Sequence, residues 1–299
     1  MDHDAVIVEV GLNEAVTSAV HAHVPQQPHE CAADARRCAD AGAAVVHWHA
    51  VDATGVQRLA DTALYGAALD AMGGCVLAYP SYPIDVPDTV DDRVRHCLEL
   101  RKRHGMELAP IDAASVNIVV ADPAGRAIAP LEPVPGSDVI RNSLPFVAEA
   151  LVCYRAAGLV PTVGAFDVGS TRAIGALAQA GLLDQPVLLK IFLWESPLIG
   201  PSPSVEALEL HLRQLPRDLD VEWIVVPYGM TDPAAFEELA REVLARGGGI
   251  RVGIGDNPHA FPDATNAQLV ELVDRWSHGA GRPLATVDAL RARLGTTRP

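Results

Sequence analysis

Short apolar runs alternate along the chain with longer, periodically apolar segments, and at several junctions a glycine stands between the two: "CADAGAAVVHWH", "RKRHGMELAPID", "YRAAGLVPTVGAF" and "LARGGGIRVGIG". Gly42, Gly105, Gly158 and Gly247 therefore read as residues closing a helix and turning into a strand. The pattern predicts strands near 4–10, 43–49, 74–80, 108–119, 160–166, 186–194, 221–227 and 249–254. It predicts helices near 28–41, 63–72, 89–104, 138–157, 169–182, 204–214, 233–246 and 264–278. Pro28 and the pair Asp232-Pro233 support two of the helix starts, since proline suits a first turn. Eight strand–helix units point to the α/β class and to a (β/α)8 TIM barrel. No linker or low-complexity tract divides the chain, so residues 1–299 read as one domain with a helical tail from about 284 to 299.

In such a barrel, functional groups gather at the C-terminal ends of the strands. Strand one leads to Gly11, Asn13 and Glu14, strand two to His47 and His49, and strand three to Ser81. Asp112, Ser115 and Asn117 after strand four, with Lys190 in strand six, are candidate substrate-binding groups. Asp167, Glu195, Arg251 and Asp256 complete the polar mouth, and Tyr79, Tyr82, Trp194 and His259 are candidates for its lining.

Composition narrows the possibilities. A formal charge of −15 argues against a nucleic-acid partner or an anionic membrane surface. No stretch approaches the apolar length of a membrane span, and the N-terminal "MDHDAVIVEV" lacks the basic start of a secretory signal, so a cytoplasmic location is expected. The five cysteines are scattered without a CxxC spacing and read as structural thiols. The basic "RKRHG" at 101–105 reads as a solvated last helical turn.

In "VVHWHAVD" the two histidines are two residues apart. Side chains alternate across a strand, so His47 and His49 share one face. Two neutral imidazoles from one strand can fill adjacent vertices of a zinc-type site, leaving positions for a carboxylate and for substrate.

The segments "PHECAADARRCADAGAAVVHWH", "DTALYGAAL", "ASVN", "RNSLPFVAEA", "AFDVG" and "RVGIGDN", in this order over nearly the whole chain, resemble the beta-keto acid cleavage enzymes. The resemblance implies a TIM barrel, a homo-oligomer (tetramer), and a divalent metal of the zinc type. It also implies an exchange in which a beta-keto acid and the co-substrate acetyl-CoA give acetoacetate and a new acyl-CoA. By the same resemblance, His47 and His49 are metal ligands, Asp256 the general base, Arg251 the residue positioning it, and Glu14 and Ser81 further active-site polar groups. A metal at the keto oxygen would act as Lewis acid and template.

Three positions depart from the family pattern. Gly255 stands where the family carries a ligating glutamate, Gly164 where it tends to have another glutamate, and Val51 where a basic residue is usual. Glu195 and Glu9 are the candidate replacement ligands, because a two-histidine site needs an anionic partner. Lys190, one of two lysines in the chain, lies in the apolar "VLLKIFLW". A buried lysine is paired or deprotonated, which leaves open a Schiff-base carbon–carbon lyase and an ion pair to Glu9 or Asp167. A catalytically inert barrel binding a keto acid or acyl-CoA is the third possibility.

Overall fold

The protein is seen here in a computed structural model that describes residues 4–83, 89–118 and 138–296. The chain runs through β1 (Val8–Gly11), α1 (Pro28–Asp40), β2 (Val45–Trp48), α2 (Thr62–Met72), β3 (Leu77–Pro80), α3 (Val90–His104) and β4 (Leu108–Asp112). A two-stranded ribbon follows, β5 (Val116–Ile118) against β6 (Asp138–Ile140), antiparallel. Then come α4 (Leu144–Ala157), β7 (Val160–Ala165), α5 (Val168–Gln179), β8 (Val187–Trp194), α6 (Val205–Leu212), β9 (Val221–Tyr228), α7 (Pro233–Ala245), β10 (Gly249–Val252), α8 (Asn266–Gly279) and α9 (Val287–Leu294).

Eight parallel strands, in the order β3-β2-β1-β10-β9-β8-β7-β4, form a nearly closed TIM barrel whose ends β3 and β4 lie side by side. Local chemistry sets the element ends. Asp61, Ser143 and Thr265 cap the starts of α2, α4 and α8 by accepting backbone N–H groups. Gly105 and Gly158 close α3 and α4 in the left-handed conformation, at φ +67° and +69°, which glycine adopts without a Cβ clash.

The strands are buried on both faces, so they read as continuous apolar runs. Outward residues such as Val46, Ile111, Leu189 and Val225 pack against the helices. Inward residues form layers along the barrel axis. Ile7, Val45, Leu77, Leu108, Leu188 and Ile224 fill the bottom, where Leu290 and Leu294 of α9 close them off. Two residues further along each strand the inward positions become Glu9, His47, Tyr79 and Lys190. Above Lys190 the wall turns aromatic, with Phe166, Phe192 and Trp194 in one cluster. The base is thus sealed and apolar, the middle charged, and the mouth open.

The pattern misplaced several boundaries, with β1 starting at Val8 rather than 4 and β3 at Leu77 rather than 74. The strand expected over 108–119 stops at Asp112, and residue 119 lies outside the described residues; the helix expected from 138 starts at Leu144, because 138–140 pairs in the ribbon instead. Among the described residues no helix is long and apolar enough to cross a membrane.

Candidate active site at the mouth of the barrel

His47 and His49 leave β2 on its inner face and meet the carboxylate of Glu14, carried by the loop after β1. His47 Nε2 lies 3.0 Å from Glu14 Oε1 and His49 Nε2 2.9 Å from Glu14 Oε2. Each ring is held from behind. His47 Nδ1 is 3.3 Å from the Tyr79 carbonyl, and His49 Nδ1 3.2 Å from Gln57 Oε1. Gln57 turns its oxygen to His49 because its amide nitrogen donates to the Glu14 carbonyl at 2.7 Å. Asn13 pins the same loop to β2, accepting from the His49 N–H at 2.8 Å and donating to the His49 carbonyl at 2.9 Å.

This geometry has a proton consequence. Each Nδ1 faces an oxygen that can only accept, so the ring proton sits there and a neutral ring presents a lone pair at Nε2. Both lone pairs then face a carboxylate. Such a contact needs either a second proton on the ring or a cation between the partners. Burial pushes His47 down to about 3, against the attraction of Glu14, so it resists that proton. For His49 burial acts the same way, but Glu14 and the Gln57 contact prevail and raise its pKa. Burial also opposes charge on Glu14, yet His49, Arg251 and His47 hold it well below the usual carboxylate range. One carboxylate and two imidazoles whose ligand atoms lie within 4.8 Å of one another are a fitting donor set for a zinc-type ion.

Arg251, from β10, sits beneath this group. Its Nε and Nη2 donate to the two oxygens of Asp256 at 2.9 and 2.7 Å, its Nη2 to Glu14, and its Nη1 to Glu9 at 3.3 Å. Glu9 also accepts from the Tyr79 hydroxyl, which in turn accepts from Lys190 Nζ at 3.0 Å. Burial pushes Asp256 up to about 7 against the pull of Arg251, with Glu14 and Glu9 adding to the rise. The Glu9, Glu14, Asp112 and Asp256 carboxylates face three basic side chains, Arg251, Lys190 and, beside Asp112, Arg93, across this buried network. Fully ionised, it carries a surplus of negative charge that a divalent cation would neutralise.

A cavity of about 300 Å³ opens above, lined among others by Glu14, His47, His49, Ser81, Asp112, Lys190 and Arg251, with Phe166, Phe192, Trp194, Ile199 and Tyr228 as its apolar side. A second cavity of about 340 Å³ lies at the opposite end, near α9, where Arg155 and Asp184 pair with each other, and it holds none of these groups.

Not every expected residue reaches the cavity. Asp256 is 1% exposed and lies behind Arg251, under Gly11, rather than on the cavity wall. Ser115 accepts from the Asn142 N–H, and Asn117 is exposed on the ribbon; β4 ends before them, and Ile118 and Ile140 face the cavity in their place. Glu195 is not the replacement ligand expected for the histidines. Trp194 points inward, so alternation turns Glu195 outward, where it is exposed and accepts from Thr231 at 3.0 Å. Glu9 is spent on Tyr79 and Arg251. Lys190 makes neither expected ion pair within 4.0 Å.

The third member of the group is Glu14, and Gly255 explains why. A Cβ at Gly255 would lie 2.8 Å from Asn13 N and C and 2.9 Å from Glu14 N, all backbone. The loop that delivers Glu14 occupies the room a side chain at 255 would need. Glu14 itself sits at φ +43°, alone among the described non-glycine residues in having a positive φ. Gln57 and the Phe166/Phe192 wall were not foreseen; Gln57 lies between elements, in a single bridge to Val51, and the two phenylalanines sit in apolar runs with nothing local to mark them.

Comparison with known proteins agrees with this architecture. A curated relative from Rhizobium meliloti (strain 1021), 3-dehydrocarnitine:acetyl-CoA trimethylamine transferase, is 27% identical over 97% of this chain and 97% of its own. Among solved structures, apo ObcA superposes with a TM-score of 0.71 at 18% identity, over 92% of this chain and 66% of ObcA. A truncated 3-deoxy-D-arabino-heptulosonate 7-phosphate synthase from Thermotoga maritima gives 0.51 at 11% identity, over 94% and 90% of the two chains. Both structural likenesses speak to the barrel alone. The family model of the beta-keto acid cleavage enzymes matches residues 5–296, and the chain belongs to that family.

Proposed function

We propose that this enzyme transfers the acyl part of a beta-keto acid to coenzyme A, using acetyl-CoA and releasing acetoacetate, at a site where Glu14, His47 and His49 hold a divalent cation of the zinc type. The observation that carries the metal assignment is the approach of two imidazole Nε2 atoms to one carboxylate while both Nδ1 atoms are committed to acceptors. The acetyl-CoA requirement rests on family membership and on the name of the curated relative. When bound, the cation would supply Lewis-acid polarisation of the keto oxygen.

The chain's own groups supply the rest. Ser81 and Arg251 on the cavity wall orient the substrate, and Arg251 holds Asp256 through two parallel hydrogen bonds. Removal of a proton from the carbon between keto and carboxylate groups is assigned to Asp256, pushed up to about 7 by burial; it lies behind Arg251 in this structure, so the step requires the Arg251 side chain to shift and open it to the cavity. That carbon bonds to the acetyl carbonyl of acetyl-CoA as thiolate leaves; the thiolate then attacks the original keto carbon, and the old carbon–carbon bond breaks. Asp256 returns its proton to the acetoacetate formed. Atoms balance: keto acid plus acetyl-CoA becomes acyl-CoA plus acetoacetate.

Incubating the purified protein with acetyl-CoA and a panel of beta-keto acids, with mass spectrometry of the products, tests the reading. Acetoacetate and a matching acyl-CoA are expected, and both should vanish, together with bound metal by elemental analysis, in a His47→Ala/His49→Ala variant. Retention of the same metal content in that variant would sink the metal assignment. No acetoacetate from any acid would sink the reaction.

A further inference from the structure

Lys190 sits at the edge of the buried network, joined to it among the described residues only through the Tyr79 hydroxyl. Its ammonium is buried within the barrel, lines the cavity, and lies 4.5 Å from the Tyr79 ring centroid and 5.6 Å from that of Phe192. Of its three N–H donors one is used, on the Tyr79 hydroxyl at 3.0 Å, and among the described residues no carboxylate comes within ion-pair distance. A buried cation with unused donors is costly unless something supplies the acceptors. Nothing on the surrounding strands does so. Its register partner on β7 is Gly164, and the next residue across is Asp112 on β4. Asp112 leans over the glycine, since a Cβ at 164 would lie 2.4 Å from its Oδ1, but it makes no ion pair with Lys190 within 4.0 Å.

The ring of Tyr79 links this ammonium to the metal group: His47 packs against it with centroids 4.8 Å apart. A small keto acid seated on the histidines therefore has its far end beside Lys190. From this geometry we infer that Lys190 is the receptor for a carboxylate on the substrate's side chain, so that the preferred substrates are 3-oxo dicarboxylic acids and side chains ending in a cation are rejected. The inference rests on the proposed keto-acid chemistry for what the substrate is. Burial lowers the Lys190 pKa, Glu9 and Asp112 oppose that fall, and a substrate carboxylate would favour the charged form further; Asp112, pushed up to about 6 by its own burial, would take a proton when that second carboxylate arrives and donate it in a hydrogen bond.

Two measurements test this. In turnover with acetyl-CoA, 3-oxoadipate is compared with 3-oxohexanoate and with 3-dehydrocarnitine, using wild type, Lys190→Met and Lys190→Arg, each checked for an unchanged melting profile. Wild type should prefer 3-oxoadipate; Lys190→Met should raise its KM about 30-fold, leave 3-oxohexanoate within about threefold, and be rescued in part by Lys190→Arg. Equal kcat/KM for the three acids, an equal loss on all three in Lys190→Met, or borohydride trapping of keto acid on Lys190 would overturn the assignment. Separately, calorimetry with the unreactive dicarboxylate glutarate and with butyrate reads Lys190 without any turnover. Glutarate binding that Lys190→Met abolishes supports the inference even if no keto acid reacts; equal binding of glutarate and butyrate overturns it.

Discussion

Glu14 is placed by a backbone that most residues avoid, at φ +43°, in a loop threaded against Gly255. Position 255 and position 14 therefore form one design: a glycine admits the loop, and the loop brings the carboxylate. Putting the family's glutamate back as Gly255→Glu should damage the site, since its Cβ meets backbone at 2.8 Å. We expect a melting temperature about 5 °C lower, from about 2 kcal/mol of overpacking, with metal content reduced rather than increased. A gain of metal affinity in that variant would contradict the assignment. Conversely, Glu14→Gln should weaken zinc binding at least about a hundredfold, the upper range seen for outer-shell partners, whereas Glu195→Gln should leave it unchanged because that carboxylate is spent on Thr231 at the rim. Competition with a chromophoric chelator measures both. The histidine pair was readable from its i, i+2 spacing because strand alternation is local. Glu14 as its partner was not, because that depends on a contact between residues more than two hundred positions apart.

At the scale of elements the same division holds. Glycine-terminated helices and continuous apolar runs marked the strand–helix units, since caps and burial patterns act within a few residues. The end of β4 at Asp112 left no such mark: "APIDAASVNIV" stays apolar enough to run on, and what stops the strand is ribbon pairing with residues 138–140. That is why Ser115 and Asn117 fall outside the cavity. Packing between helices carries its own pH signature. His211 of α6 lies buried with Nδ1 2.6 Å from Thr171 Oγ1 of α5, and burial lowers its pKa to about 4. Unfolded, it titrates near the ordinary value of about 6.5. Between those values the unfolded chain binds a proton that the folded chain refuses, so this contribution is intact above pH 6.5 and is lost as pH falls toward 4. Urea unfolding at pH 7 and pH 5 should show the wild type losing about 1 kcal/mol more than His211→Gln. Parallel curves would refute the assignment.

Over the whole molecule, stability and chemistry are assigned to opposite ends of the barrel. At the base, α9 inserts Leu290 and Leu294 beneath the inward residues of β2, β3, β4, β8 and β9, and Arg291 pairs with buried Glu107 at 3.0 Å. At the mouth, the Glu14, His47 and His49 group and the charged layer below it are separated from α9 by that apolar plug. A TIM barrel tolerates such a division because loops at the C-terminal face can change without disturbing the sealed end. The consequence is measurable with one substitution. Leu290 is fully buried, so Leu290→Ala should cost about 3 kcal/mol by lost burial and the cavity left behind, lowering the melting temperature by about 10 °C. At a temperature where the variant is still folded, its metal content should be unchanged and its turnover within about twofold of wild type. If turnover instead fell together with stability, the base would be coupled to the site through the charged layer. Arg251 and Glu9, which span the interior between plug and cavity, would then be the residues transmitting it.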